Sequence, residues 1–167
     1  MLELLEDPAY RHVLFNHLPV TGLAVAWVVL LGAVALRHRP TLFASLALVA
    51  VMSASAYPVA TAGEDAYPFV FDTLDGYGRD WLDHHTHVAD SLLPVLYVNA
   101  GLALLAIGVG AWRRDLLQPT ALIIVLATFG SLGAAMVIAE AGGKIMHPDF
   151  RLSDPPIHED RKRVGSR

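Results

Sequence analysis

Eight histidines stand in a chain that has no cysteine and few charges, and they are the residues best equipped for chemistry. A neutral imidazole is the commonest protein ligand for transition metals and for haem iron. His12 and His17 are five positions apart, roughly 140° around a helix, so a regular helix turns them to different faces and one metal takes only one of them. His84 and His87 share a face, whereas His85 projects roughly 100° from His84. Glu64 and His147 add a carboxylate and a further imidazole. Glu140, Lys144 and His147 share a stripe if their helix runs that far; Gly142-Gly143 either weakens that continuation or lets the backbone approach something closely. The lack of cysteine removes disulfides, thiolate metal sites, iron–sulfur clusters and covalently attached haem. No nucleophile–base constellation, phosphate loop or HExxH is present, so hydrolase and nucleotide-binding functions have no support.

The elements that must position these groups are apolar. Hydrophobic residues make up 54% of the 167 and charged ones 17%, against about 25% charge in a soluble domain. The net charge of −4 argues against nucleic acid as a partner. Residues 12–36, 40–63, 91–112 and 116–139 each lack Asp, Glu, Lys and Arg, and a spanning helix needs about 20 mostly apolar residues. The first is no cleavable signal, because the acidic segment LELLEDPAYR precedes it where a signal carries positive charge. The fold expected is all-α: an integral-membrane four-helix up-down bundle over residues 1–151, with a flexible polar tail over 152–167. Two tight turns, Arg37-His38-Arg39 and Arg113-Arg114-Asp115, are basic and so belong inside, which places both termini outside. The basic run Arg161-Lys162-Arg163 in the tail runs against that rule. The acid-rich link, residues 64–83, is long for a connection and is expected to form a partly ordered lid, its Tyr67, Phe69, Phe71, Tyr77 and Trp81 packing on the bundle mouth or the headgroups. Gly101, Gly108, Gly110, Gly130, Gly133, Ser53 and Ser55 are expected to let helices approach closely. Each half holds a helix, a tight basic turn and a helix, with no convincing repeat of residues behind the likeness.

This topology carries most of the histidines to one membrane face. His12 and His17 open the first helix, His84, His85 and His87 the third; His147 follows the fourth and Glu64 the second. His17 is followed by Pro19 and a long apolar run, which sets its ring at the interface, where a polar group needs a partner. His17, His85 and His147 are therefore expected to converge with Glu64 beside them, and His12 to sit one layer further out. Asp83 or Asp90 would orient a ligating imidazole through its second nitrogen. His38, His84 and His158 read as solvated bystanders.

The segments HVLFNHLPVTG, TAGEDA, WLDHHTHVAD and AGGKIMHPDFR resemble those of an uncharacterised family of bacterial four-helix predicted membrane proteins. That family shows an H-x-x-x-N-H-x-P entry to its first helix, T-G-E-x-A after the second, I-E-x-H-E at the third and G-G-x-I-R-H-x-E near the end. The likeness covers roughly residues 12–151. The matching positions are His12, Asn16, His17, Pro19, Glu64, His85, Gly142, Gly143 and His147, with Asp83 and Asp149 where the family has glutamate. Thr86 and Met146 depart from it, standing where the family has an acid and an arginine. Members of a broader related group are joined to Rieske or cytochrome c domains. The resemblance implies a multi-pass protein of the bacterial inner (cytoplasmic) membrane with redox work.

Three functions follow. One is an electron carrier holding haem b near the outer face through His17 opposite His85, with His147 as substitute, and meeting a periplasmic or membrane redox partner. A haem relay across the whole membrane is excluded, because no histidine lies at mid-depth and none pairs on the inner side. The second is a non-haem metal protein in which His17, Glu64, His85 and His147 (or His12) bind copper, zinc or iron for catalysis or handling. The third is a structural accessory subunit whose polar outer cluster only knits helix ends together.

Overall fold

The computed structural model describes residues 3–155; His158 and the basic run of the tail lie outside the described residues. Every long element is helical. α1 (Pro8–Phe15) is capped by Asp7, whose carboxylate accepts from the Ala9 and Tyr10 amides. A turn of π-helix over Leu18–Gly22 joins it to α2 (Leu23–Leu36). α3 (Arg39–Ala54) and α4 (Ala56–Thr73) are nearly continuous. α5 (Gly76–Trp112) and α6 (Leu117–Met146) complete the chain with a short 3-10 turn over Pro148–Phe150.

A proline stands at each break, although α4 and α5 run unbroken through Pro68 and Pro94. Pro19 cannot donate to the Phe15 carbonyl, nor Pro58 to the Ala54 carbonyl, and each ring crowds the carbonyl it fails to bond. The chain answers with the π-turn at the first, and with the Ser55 joint at the second, where the Ser55 hydroxyl donates to the Met52 carbonyl at 2.6 Å.

Four helical segments are long and apolar enough to cross a membrane: Pro8–Leu36, Arg39–Thr73, Gly76–Trp112 and Leu117–Met146. The molecule is a multi-pass membrane protein built as a four-helix bundle. α2, α3, α5 and α6 close a ring in which α2 packs on α3 and α6, and α5 on α3 and α6. Its core is made of Leu23, Leu30, Leu46, Ala103, Ala121 and Ile124 with their neighbours. Polar bonds add to packing where lipid offers none. Buried Asn99 donates to Ser53 Oγ at 2.9 Å and to Thr128 Oγ1 at 3.3 Å, Trp27 Nε1 donates to the Val125 carbonyl, and Gln118 Nε2 to that of Val34.

Two expectations are corrected here. Residues 64–83 form no lid: α4 runs to Thr73, and Leu74 and Asp75 alone separate it from α5, which Asp75 caps through the Gly78 amide. Tyr67, Val70, Phe71 and Leu74 form a stripe at helical spacing that packs on Trp81, Leu82 and Ile145. The acidic residues that made this stretch look like a loop include Glu64, Asp65 and Asp72 on the exposed side of α4. Of the small residues expected at helix contacts, Gly110 and Ser53 are there, Gly110 buried where an added Cβ would fall 2.5 Å from Leu117 Cδ1 and Ser53 buried against Asn99, but the other four glycines play another part. A Cβ added at Gly101, Gly108, Gly130 or Gly133 meets nothing within 4 Å, and all four are exposed, so they face the lipid side. Alanines such as Ala26, Ala33, Ala103 and Ala106 fill the helix contacts instead.

A 37-residue helix is about 55 Å long, against about 30 Å of hydrocarbon. The outer parts of α4, α5 and α6, with α1, therefore stand beyond the apolar layer as a helical cap.

Candidate metal centre at the outer end of the bundle

In this cap the structure brings two histidines together, His12 of α1 and His85 of α5. Their ring centres are 6.3 Å apart and their planes lie at 83°. Each is held in the same way. His12 Nδ1 lies 2.8 Å from the Val59 carbonyl oxygen, and His85 Nδ1 lies 3.1 Å from that of Ile138. A carbonyl only accepts, so each Nδ1 carries the hydrogen, and the neutral ring keeps a bare Nε2. The ring can lie so near the opposite helix because a glycine follows each carbonyl by one turn. A Cβ at Gly63 would fall 2.8 Å from His12 Nδ1, and one at Gly142 would fall 3.2 Å from His85 Cε1.

This sameness is a repeat, which corrects the expectation that no repeat of residues lies behind the likeness of the two halves. Pro40 and Pro119, Thr41 and Thr120, Val59 and Ile138, Ala62 and Ala141, and Gly63 and Gly142 all stand 79 positions apart (119 − 40, 142 − 63). So do buried Leu42 and Ala121, Leu46 and Val125, Ala56 and Ala135, and Ala66 and Ile145. His12 and His85 stand 73 apart (85 − 12), as do buried Leu23 and Leu96, Ala26 and Asn99, Leu30 and Ala103, and Ala33 and Ala106. The two hairpins run in the same sense, so an approximate two-fold axis along the membrane normal relates them. His12 and His85 are equivalent residues that meet near it. Their shared Ala-Gly partner on the following helix was the signal in the sequence that could have revealed the pair.

The other expected residues are placed elsewhere. His17 is exposed, and its Nδ1 donates to the Val13 carbonyl of its own helix at 3.1 Å. His147 is exposed just past α6, its ring 4.9 Å from Phe150. Glu64 is exposed on α4. Among the described residues no three His, Asp or Glu side chains gather in a group that could hold a metal ion, so the convergence of His17, His85 and His147 with Glu64 is not built. His12, placed one layer out by helix geometry, is instead half of the pair, because the chain between Asn16 and Gly22 is no regular α-helix. Backbone carbonyls, not Asp83 or Asp90, orient the two imidazoles. Asp83 accepts from the Tyr67 hydroxyl.

Around the pair, α6 continues through Gly142-Gly143, and Lys144 reaches back to Glu140 at 2.7 Å. Lys144 Nζ also lies 4.9 Å over the Trp81 ring, and His84 packs edge-on against the same ring. Arg151 donates to the Lys144 and Ile145 carbonyls and closes the end of α6. Among the described residues two buried side-chain nitrogens have no hydrogen-bond partner, Arg11 Nε, next to His12 in the chain, and Trp81 Nε1, one turn before His85; Arg11 pairs with Asp65 through Nη2 at 3.7 Å. Comparison of the chain with family models, curated proteins and solved structures finds no match.

Proposed function

We propose that this protein is an electron carrier of the bacterial cytoplasmic membrane whose redox centre, the iron of a b-type haem, is held between His12 and His85. The observation that carries the proposal is the pair of imidazoles, each oriented through Nδ1 with Nε2 left bare, at a ring-centre spacing of 6.3 Å. Were both Nε2 atoms turned to one metal, two bonds of about 2 Å would fit within a ring-centre spacing of this size. A site offering only two protein ligands suits a metal that brings its other ligands with it, and haem iron does so. Zinc would want four, and a facial-triad iron a third. Bound haem would supply one-electron chemistry. The chain's part is to orient both imidazoles and to present the centre on the outer side, where a periplasmic or membrane redox partner meets it. The resemblance to the bacterial four-helix family, with its redox-fused relatives, points the same way.

The test is the absorption spectrum of full-length protein purified from membranes, with metal analysis of the same sample. A Soret band that shifts on dithionite is expected, lost in His12→Ala and in His85→Ala and kept in His17→Ala and His147→Ala. Copper, zinc or iron without a Soret band would put a non-haem site in its place. Neither band nor metal would leave the pair as a structural contact. Reporter fusions after Arg39 and at the C-terminus should report opposite compartments, with the histidine pair on the C-terminal side.

A further inference from the structure

We propose that the inner end of the bundle binds the phosphodiester headgroup of an anionic phospholipid. Where the two halves turn, a cavity of about 290 Å³ opens, lined by Arg37, Arg39 and Arg114 with Asp115 and Gln118, over buried Leu117. Arg39 and Gln118 are equivalent in the repeat (118 − 39), so this cavity, like the histidine pair, sits where the halves meet.

Three features give it anion chemistry. The Asp115 carboxylate is engaged by Arg113 at 3.3 Å, and among the described residues no carboxylate pairs with Arg37, Arg39 or Arg114. Three guanidinium groups are thus left to an outside anion. α3 and α6 both begin here, and no side chain caps either start, so free amides and the positive ends of two helix dipoles add to the field. Arg37 adopts a left-handed conformation, φ 54°, at the end of α2, where glycine is the easy choice. Keeping an arginine there keeps a guanidinium at the cavity.

The surroundings select a lipid over a soluble phosphate. The cavity lies at the ends of the spans, where headgroup phosphates are, and its base is apolar. Leu36 and Trp112 at the same end are 76% and 84% exposed, a surface suited to glycerol and acyl chain.

The experiment uses the full chain, delipidated in non-ionic detergent and titrated with micelles containing dioleoylphosphatidylglycerol or dioleoylphosphatidylcholine. Bound lipid is counted by native mass spectrometry and stabilisation read from thermal unfolding. A preference for phosphatidylglycerol on the order of a hundredfold is expected, three arginines near an anionic surface each contributing about fivefold. The double variant Arg39→Gln/Arg114→Gln should lose most of it, and Arg79→Gln, at the other end, none. If the double variant fails to insert, Arg39→Lys/Arg114→Lys keeps the charge that sets topology but not the two-toothed fork, and should lose the preference several-fold. Equal binding of the two lipids, or a preference that survives the lysine pair intact, would overturn the proposal. So would inorganic phosphate stabilising the protein as much as phosphatidylglycerol does.

Discussion

The two halves of the chain arrive at one arrangement by different routes. The second half uses two continuous helices of 37 and 30 residues; the first uses two interrupted ones, with a π-turn after His17 and a joint at Ser55. In each, a histidine near the outer end of the descending helix donates to a carbonyl one turn before a glycine of the ascending helix. The fit is tighter in the first half, where the glycine's absent Cβ would overlap the ring, than in the second, where it would only press on it. Irregular helices are thus compatible with the shared geometry, and what the halves have in common is the ring-on-glycine contact. The difference also shows which half is under constraint: the interrupted one has less room to give.

The largest expected effect tests that asymmetry. Gly63→Ala places a Cβ 2.8 Å from His12 Nδ1 and 2.9 Å from Cε1, which forces the ring off Val59. A net loss of about 2 kcal/mol is expected, overpacking exceeding the gain of roughly 1 kcal/mol from helix propensity. Gly142→Ala meets His85 at 3.2 and 3.3 Å, where small shifts suffice, and should stay within about 1 kcal/mol of the parent. Denaturant titration in mixed micelles measures both. Equal losses would mean that the halves are equally tight.

A smaller effect is expected at mid-depth. Asn99 stands where the first half has Ala26, so Asn99→Ala makes the halves alike there. It removes the bonds to Ser53 and Thr128, but those hydroxyls can turn to carbonyls of their own helices. About 1 kcal/mol should be lost, in the range measured for hydrogen bonds between membrane helices. A loss of several kcal/mol in the same titration would show that the hydroxyls find no such acceptor.

The smallest is at His17. Exposed and bonded only to its own helix, it has no counterpart in the second half, since the position 73 further on is Asp90. His17→Ala should shift stability by less than about 0.5 kcal/mol and leave any bound group in place. Loss of the spectrum in this variant alone would return His17 to the centre and dissolve the symmetric pair.

The membrane bundle itself is written in composition. Long uncharged runs leave burial in lipid as the only way to satisfy them, and the short basic turns at Arg37–Arg39 and Arg113–Asp115 force antiparallel neighbours. The helical cap was less legible, because outside the bilayer α4 needs only one apolar stripe, and its charged face reads as a loop. Of the two histidines, His85 was legible from position along the chain and His12 was not. Counting residues placed His12 away from the centre and His17 in it, since an angle of roughly 140° is counted on an ideal helix. The tertiary structure decides otherwise, because the π-turn after His17 changes the register of α1 against α2, and so which of the two histidines faces the bundle, and because a ring can reach a carbonyl on another helix only where a glycine leaves room. Apolar runs and turn charges act locally and can be read along the chain, whereas the meeting of His12 with His85 depends on two close helix contacts and an approximate symmetry axis that exist only once the helices have packed.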